Sequence, residues 1–145
     1  VVIDYIGLMQ STTTSDNRAV QVGEISRNLK IMAKDFGIPI ICCAQLNRGT
    51  ESRGSGDRRP TLADLRDSGS IEQDADVVMF LYREEYYKDI GAKSDGEAAD
   101  DANTAEVILA KNRHGEVGKV KMGWIGQFTK FRTLEDESKY GQPPH

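Results

Sequence analysis

An aspartate that closes a run of apolar residues is the first feature of this sequence able to do chemistry. Asp4 follows Val1-Val2-Ile3. At the carboxyl edge of a buried strand a carboxylate can position Mg²⁺ against phosphates, because the hard cation takes oxygen ligands and the sheet fixes the carboxylate's aim. The same pattern also makes an ordinary turn or capping aspartate, and the residues alone leave both readings open. Gln45 ends the second apolar run, Ile38–Ala44, and by itself is a strand-end polar residue. The third chemically notable stretch is cationic: residues 111–132 hold Lys111, Arg113, Lys119, Lys121, Lys130 and Arg132 against Glu116, a local charge of +5 in a chain of net charge −4. Cys42 and Cys43, the only cysteines, are adjacent in an apolar run. On a strand they point to opposite faces, and they read as reduced core residues rather than a redox pair.

These groups need a sheet to hold them. The chain has 145 residues, of which 38% are hydrophobic. That is enough for one domain, or a piece of a larger one, burying roughly two-thirds of its unfolded surface without disulfide or metal staples. The composition excludes collagen-like, coiled-coil and disordered classes. No apolar run approaches the roughly 18 residues of a membrane span, and the N-terminus lacks the basic start of a secretory signal, so a cytoplasmic location is expected. Because the first residues already form a strand with no turn, cap or Met before them, the expectation is a fragment of a larger domain.

Hydrophobic periodicity supplies the elements. Val1 to Ile6 predicts a central parallel strand covered on both faces. Val22, Ile25, Leu29, Met32 and Phe36 mark one face of a helix ending at Gly37. Residues 38–44 predict a second buried strand, with Pro39 tolerated at its start, and strand, helix, strand implies a parallel crossover. Residues 47–60 form a long glycine-rich loop. Thr61-x-x-Asp64 and Ser70-x-x-Gln73 fit capping boxes, predicting two short helices separated by a turn at 66–69. Val77 to Tyr82 predicts a third strand, residues 84–101 (local charge −5) a solvated acidic loop, and 105–110 with 117–124 a hairpin tipped by Gly115. The tail 135–145 is expected to be disordered. Apolar strands with polar groups at their ends suggest an open α/β sheet whose ligands sit at the carboxyl edge.

In order and spacing, VVIDYIGLM, EISRNLKIMAKDFGIPII, AQLNR, LRDSGSIEQDADVVMFLYR and ILAKNRHG resemble the C-terminal RecA-like motor domain of bacterial and phage replicative DNA helicases of the DnaB type. The resemblance runs from Val1 to about Leu134, and LRDSGSIEQDADVV is its most specific part. It implies an α/β, RecA-like P-loop NTPase core over 1–134, truncated before its phosphate loop, with a mostly parallel sheet plus a C-terminal β-hairpin. By resemblance Asp4 matches the Walker B aspartate, which positions Mg²⁺ through water. Gln45 matches the glutamine that contacts the γ-phosphate. Arg66, Asp67 and Gly69 match the loop that holds the backbone of single-stranded DNA: the guanidinium pairs with one phosphate, while Asp67 and Gly69 offer backbone N–H groups. Lys111 and Arg113 match a pair that reaches the γ-phosphate on a neighbouring protomer, and residues two apart on a strand share a face. The implied cofactors are ATP and Mg²⁺. The implied partners are single-stranded DNA, five further copies in a homohexamer, a primase and a helicase loader, and the implied place is the nucleoid at replication forks.

The sequence departs from the family pattern at Gly7, Ala44 and His114, none of which removes a catalytic group. The larger departure is that no G-x-x-x-x-G-K-[ST] occurs; Gly115-Glu-Val-Gly118-Lys119 has the wrong spacing. The phosphate loop and the catalytic glutamate are therefore expected upstream of Val1, and the isolated chain is expected to lack ATPase activity. A stand-alone, non-catalytic binding module that kept the DNA-contacting or subunit-contacting surfaces is the alternative.

Overall fold

Asn17 starts the longest element, α1 (Arg18–Phe36), by accepting the Ala19 N–H on its side chain, so one of the helix's orphan donors is satisfied. Gly37 ends it in the left-handed region at φ 61°, with its N–H on the Lys34 carbonyl and that of Ile38 on Ala33. The computed structural model describes residues 1–46, 58–84 and 104–134, with the side chains of 66–69 outside that description. Most of the glycine-rich loop, nearly all of the acidic loop and the expected disordered tail thus lie outside the described residues.

The chain divides into two compact units, Val1–Phe80 with Leu109–Val117, and Leu81–Ile108 with Gly118–His145. In the first, β1 (Val2–Ile3) and β2 (Ile41–Cys42) pair in parallel, Val2 opposite Ile41 and Ile3 opposite Cys42. Both strands are shorter than the apolar runs suggest, because Pro39 offers no N–H to a ladder. Nor is β1 covered on both faces within the chain: Val2 is 72% exposed. Cys42 packs against the core and burial pushes its thiol pKa up, whereas Cys43 is exposed, so only one of the two is a core residue. The core of this unit is Ile6, Val22 and Ile25, with Met9, Leu29 and Ile71 packed against it. Farther along the predicted apolar face of α1, Met32 and Phe36 are exposed.

A second stripe on α1 faces α2 (Gly69–Asp74). A Cβ on Gly23 would lie 2.8 Å from Ser70 Oγ and 3.3 Å from its Cβ. Buried Ser26 donates its hydroxyl to Asp74 Oδ2 at 2.8 Å. One turn on, the Lys30 ammonium is bonded to Asp76. Residues 23, 26 and 30 fall on one side of the helix, and the small first member allows close approach.

Instead of two helices separated by a turn, a 3-10 helix over Leu62–Ser68 runs straight into α2. The capping box at its start forms as expected, Asp64 accepting from Thr61 N at 2.6 Å and Thr61 Oγ1 at 2.9 Å. No strong helix breaker follows Thr61 before Gly69, and a glycine costs only about 1 kcal/mol.

The larger sheet has the order β3-β4-β5-β6, formed by Val77–Tyr82, Thr104–Asn112, Gly118–Ile125 and Lys130–Thr133. β3 alternates: Val78, Phe80 and Tyr82 are buried and Val77, Met79 and Leu81 exposed. β6, which the sequence reading did not anticipate, pairs antiparallel with β5. It is set by a 3-10 turn over Gly126–Phe128 and by Phe131 packing edge-on against Trp124, 4.9 Å between ring centroids. Arg83 lies over the Trp124 ring at 4.6 Å.

Two outcomes follow from the α1–α2 contact. Gly23→Leu raises intrinsic helix propensity, yet it is expected to lower unfolding stability by about 1–3 kcal/mol through overpacking against Ser70, as read by denaturant titration. The Asp76 carboxyl is held below its ordinary value, first by the Lys30 hydrogen bond and then, against the opposing effect of burial, by the charges of Lys30, Arg113 and His114. A depressed folded pKa stabilises above the unfolded value and is lost as pH falls through the folded one. Relative to Asp76→Asn, the chain is therefore expected to be more stable at neutral pH, by no more than about 1 kcal/mol for so exposed a pair. That advantage should disappear below the ordinary carboxylate range, as read by thermal unfolding against pH.

Candidate functional site

Six residues make too short a helix to be stable alone, and α2 owes its place to α1. Its last carbonyls have no intrahelical partner and carry the negative end of the helix dipole. Two cations from the β4–β5 connection fill that need. Lys111, on β4, donates its ammonium to the Glu72 carbonyl. Arg113, at the start of the turn, donates Nη2 to the Gln73 carbonyl at 2.6 Å.

Asp76 completes the arrangement. Its backbone carbonyl accepts the Arg113 N–H at 2.9 Å, its Oδ1 lies 3.7 Å from Arg113 Nε, and its Oδ2 takes the Lys30 ammonium. Among the described residues Nη1 of Arg113 has no protein partner, and the side chain is 47% exposed. One edge of the guanidinium is thus gripped while the other faces outward. The turn itself is braced by Asn112, whose amide donates to the Glu116 carbonyl at 3.2 Å and accepts the His114 N–H at 3.3 Å. Beside Arg113, a groove of about 230 Å³ is lined by Arg27, Lys30 and Lys34 of α1 together with Gln73 and Asp74.

Asp4 and Gln45 sit elsewhere in the same unit. The parallel register places Asp4 just past β1 and Gln45 three residues past β2, on one edge of the pair. Both side chains are exposed and have no protein partner among the described residues. Ile6 N donates to Cys43 O at 2.9 Å, which extends the pairing past both strand ends, and the Asp4–Tyr5 peptide is cis. A Cβ at Gly7 would run into the Tyr5 ring, a local reason for the glycine at this point. Among the described residues no three His, Cys, Asp or Glu side chains gather to hold a metal. One accessible carboxylate nevertheless suits Mg²⁺, which keeps most of its waters and is bound through one or two carboxylates plus substrate phosphates.

Arg66 and Asp67 lie in the last part of the 3-10 helix, and Gly69 is the first residue of α2. The residues assigned to DNA and the two cations of the β4–β5 connection therefore belong to opposite ends of one short helical segment. The sequence reading passed over Lys30 and Asp76. The Gly23, Ser26, Lys30 spacing beside the apolar face was the signal for the first, while Asp76, one residue before β3, carries no local signal.

Residues 1–133 match the family model for the DnaB-like helicase C-terminal domain. The chain is 44% identical over 140 residues to the replicative DNA helicase DnaB of Haemophilus influenzae, covering 97% of this chain and 28% of that protein. It is 43% identical to the DnaB of Geobacillus stearothermophilus, covering 99% of this chain and 30% of that protein. The chain thus spans less than a third of the length of these curated relatives. Among solved structures, a helicase-like ATPase domain superposes with a TM-score of 0.81 at 42% identity, over 93% of this chain and 44% of that one. A DnaB-like replicative helicase described with its interactions with primase superposes with a TM-score of 0.78 at 43% identity, over 93% of this chain and 31% of that one. With a family match over nearly its whole length and a RecA-like neighbour fold at such identity, this chain belongs to the DnaB-like helicase C-terminal domain family.

Proposed function

We propose that this segment is part of the ATP-driven motor of a hexameric replicative DNA helicase that translocates on single-stranded DNA and unwinds duplex. The observation that carries the reading is the guanidinium of Arg113, held along one edge by Gln73 O and Asp76 with Nη1 left outward. A cation pre-aimed in this way neutralises charge developing on a transferring phosphoryl group without reorganising at the moment of reaction.

In this reading Asp4 and Gln45 line the nucleotide side of one subunit, and Lys111 and Arg113 approach the nucleotide of its neighbour. Bound Mg²⁺ would neutralise the phosphates. Asp4, exposed at the strand edge, would hold it through water. The Gln45 amide both donates and accepts, so it can follow the γ-phosphate from bound to released and pass that difference along the chain. Arg113 in trans would supply roughly 10³ to 10⁵ in rate, so turnover requires a ring. Arg66, with backbone N–H groups from Asp67 and Gly69, would hold DNA phosphates without reading bases, as translocation demands. A primase partner is carried over from the solved relative, a loader from the family resemblance, and action at forks follows from both.

The test pairs two measurements. The full-length protein in which we propose this segment sits is expected to unwind a forked duplex in an ATP-dependent assay. The 145-residue chain alone, which holds no G-x-x-x-x-G-K-[ST], is expected to release no phosphate from ATP. Turnover by the isolated chain would refute the divided-site reading, and a full-length protein that binds DNA without unwinding it would favour the non-catalytic module.

A further inference from the structure

We propose that Asp76 is the positioning residue of Arg113: braced by Lys30, it fixes one edge of the guanidinium so that the other meets the phosphoryl oxygens of a nucleotide held by a neighbouring copy. This rests on the finger reading of Arg113 given above and adds the device that aims it. Three features of the geometry support it.

The first is that the pair is locked at the backbone. Arg113 N donates to Asp76 O at 2.9 Å, so the two side chains leave the chain as fixed neighbours whatever their rotamers. The second is the unequal grip on the guanidinium. Nη2 makes a short hydrogen bond of 2.6 Å to Gln73 O, whereas Nε is 3.7 Å from Asp76 Oδ1, a charge contact beyond hydrogen-bond reach. A carboxylate at this distance orients the cation without capturing it. The third is Lys30, which occupies Oδ2. A carboxylate with both oxygens available pairs bidentately with arginine in a fork that satisfies two N–H groups at once. With one oxygen taken by Lys30 that fork cannot form, and Arg113 stays available to a competing oxyanion. The depressed carboxyl pKa of Asp76 keeps the aiming charge in place throughout the neutral range.

The groove beside Arg113 fits the same ligand. Arg27 and Lys34 have no partner among the described residues, and they extend the cationic surface along α1 from the outward edge of the guanidinium. An incoming phosphoryl group would therefore approach against positive charge on more than one side, with Asp76 kept behind the guanidinium.

The experiment is a double-variant cycle on steady-state ATP turnover in the full-length protein, with ring assembly followed by sedimentation. Arg113→Ala is expected to lower kcat by about a thousandfold or more. Asp76→Asn is expected to lower kcat by about ten- to a hundredfold, the scale of an ångström's misplacement, with KM for ATP unchanged within about twofold because nucleotide binding lies on the other subunit. In the Arg113→Ala background, Asp76→Asn should have almost no further effect, since residues acting as a unit are not additive. A normal kcat for Asp76→Asn, or the same loss in both backgrounds, would overturn the positioning role while leaving the finger intact. A normal kcat for Arg113→Ala would overturn the finger reading and this inference with it. If Asp76→Asn prevents assembly, Lys30→Met decides: by freeing Asp76 for the bidentate fork it should lower kcat at constant KM, and an unchanged kcat would overturn the proposal.

Discussion

The carbonyl end of α2 is the constraint on which the described site depends. A helix of six residues leaves most of its backbone groups without internal partners, and its C-terminal carbonyls must find donors. Here they find Lys111 and Arg113. The same contacts satisfy the helix and place the two cations. α2 in turn is held by α1 through a graded stripe, Gly23 against Ser70, Ser26 on Asp74 and Lys30 on Asp76. Remove the close approach at Gly23 and the helix shifts, the carbonyls move with it, and the cations lose their aim.

This arrangement gives a physical account of coupling within a single subunit. The segment from Leu62 to Asp74 is helical without a break. Its middle carries the residues assigned to DNA, and its end holds those assigned to the neighbour's phosphate. A continuous helix transmits a displacement at one end as a displacement at the other, because its internal hydrogen bonds do not stretch. A turn between two helices, as the sequence suggested, would have absorbed such motion. The observed continuity therefore bears on function as well as on fold.

Much of the architecture was legible in the residues, and the exceptions have specific causes. Asn17 and Gly37 bracket α1 because capping chemistry is local. β3 and the hairpin followed from apolar runs and from Gly115 at the tip. β1 and β2 were overextended because apolar runs do not reveal where a ladder stops pairing, and Pro39 shortens it. β6 was missed because residues 130–133 alternate weakly, and their pairing depends on Trp124 meeting Phe131. The family resemblance, carried by LRDSGSIEQDADVV, supplied what spacing could not, including Asp4, Gln45, Lys111 and Arg113 as candidates. Neither route singled out Asp76 or Lys30. Their meeting joins residues 46 positions apart, and only the fold brings them together.

The central claim is that each nucleotide is served by two subunits, Asp4 from one and Arg113 from the next. Mixing two full-length variants, Asp4→Asn and Arg113→Ala, each inactive alone, tests it most directly. In a mixed ring, an interface between an Arg113→Ala subunit supplying Asp4 and an Asp4→Asn subunit supplying Arg113 is intact, so ATP turnover should return on mixing and peak near equal proportions. If the mixture stays as inactive as its components while sedimentation shows mixed rings, Asp4 and Arg113 must act within one subunit, and the account is contradicted.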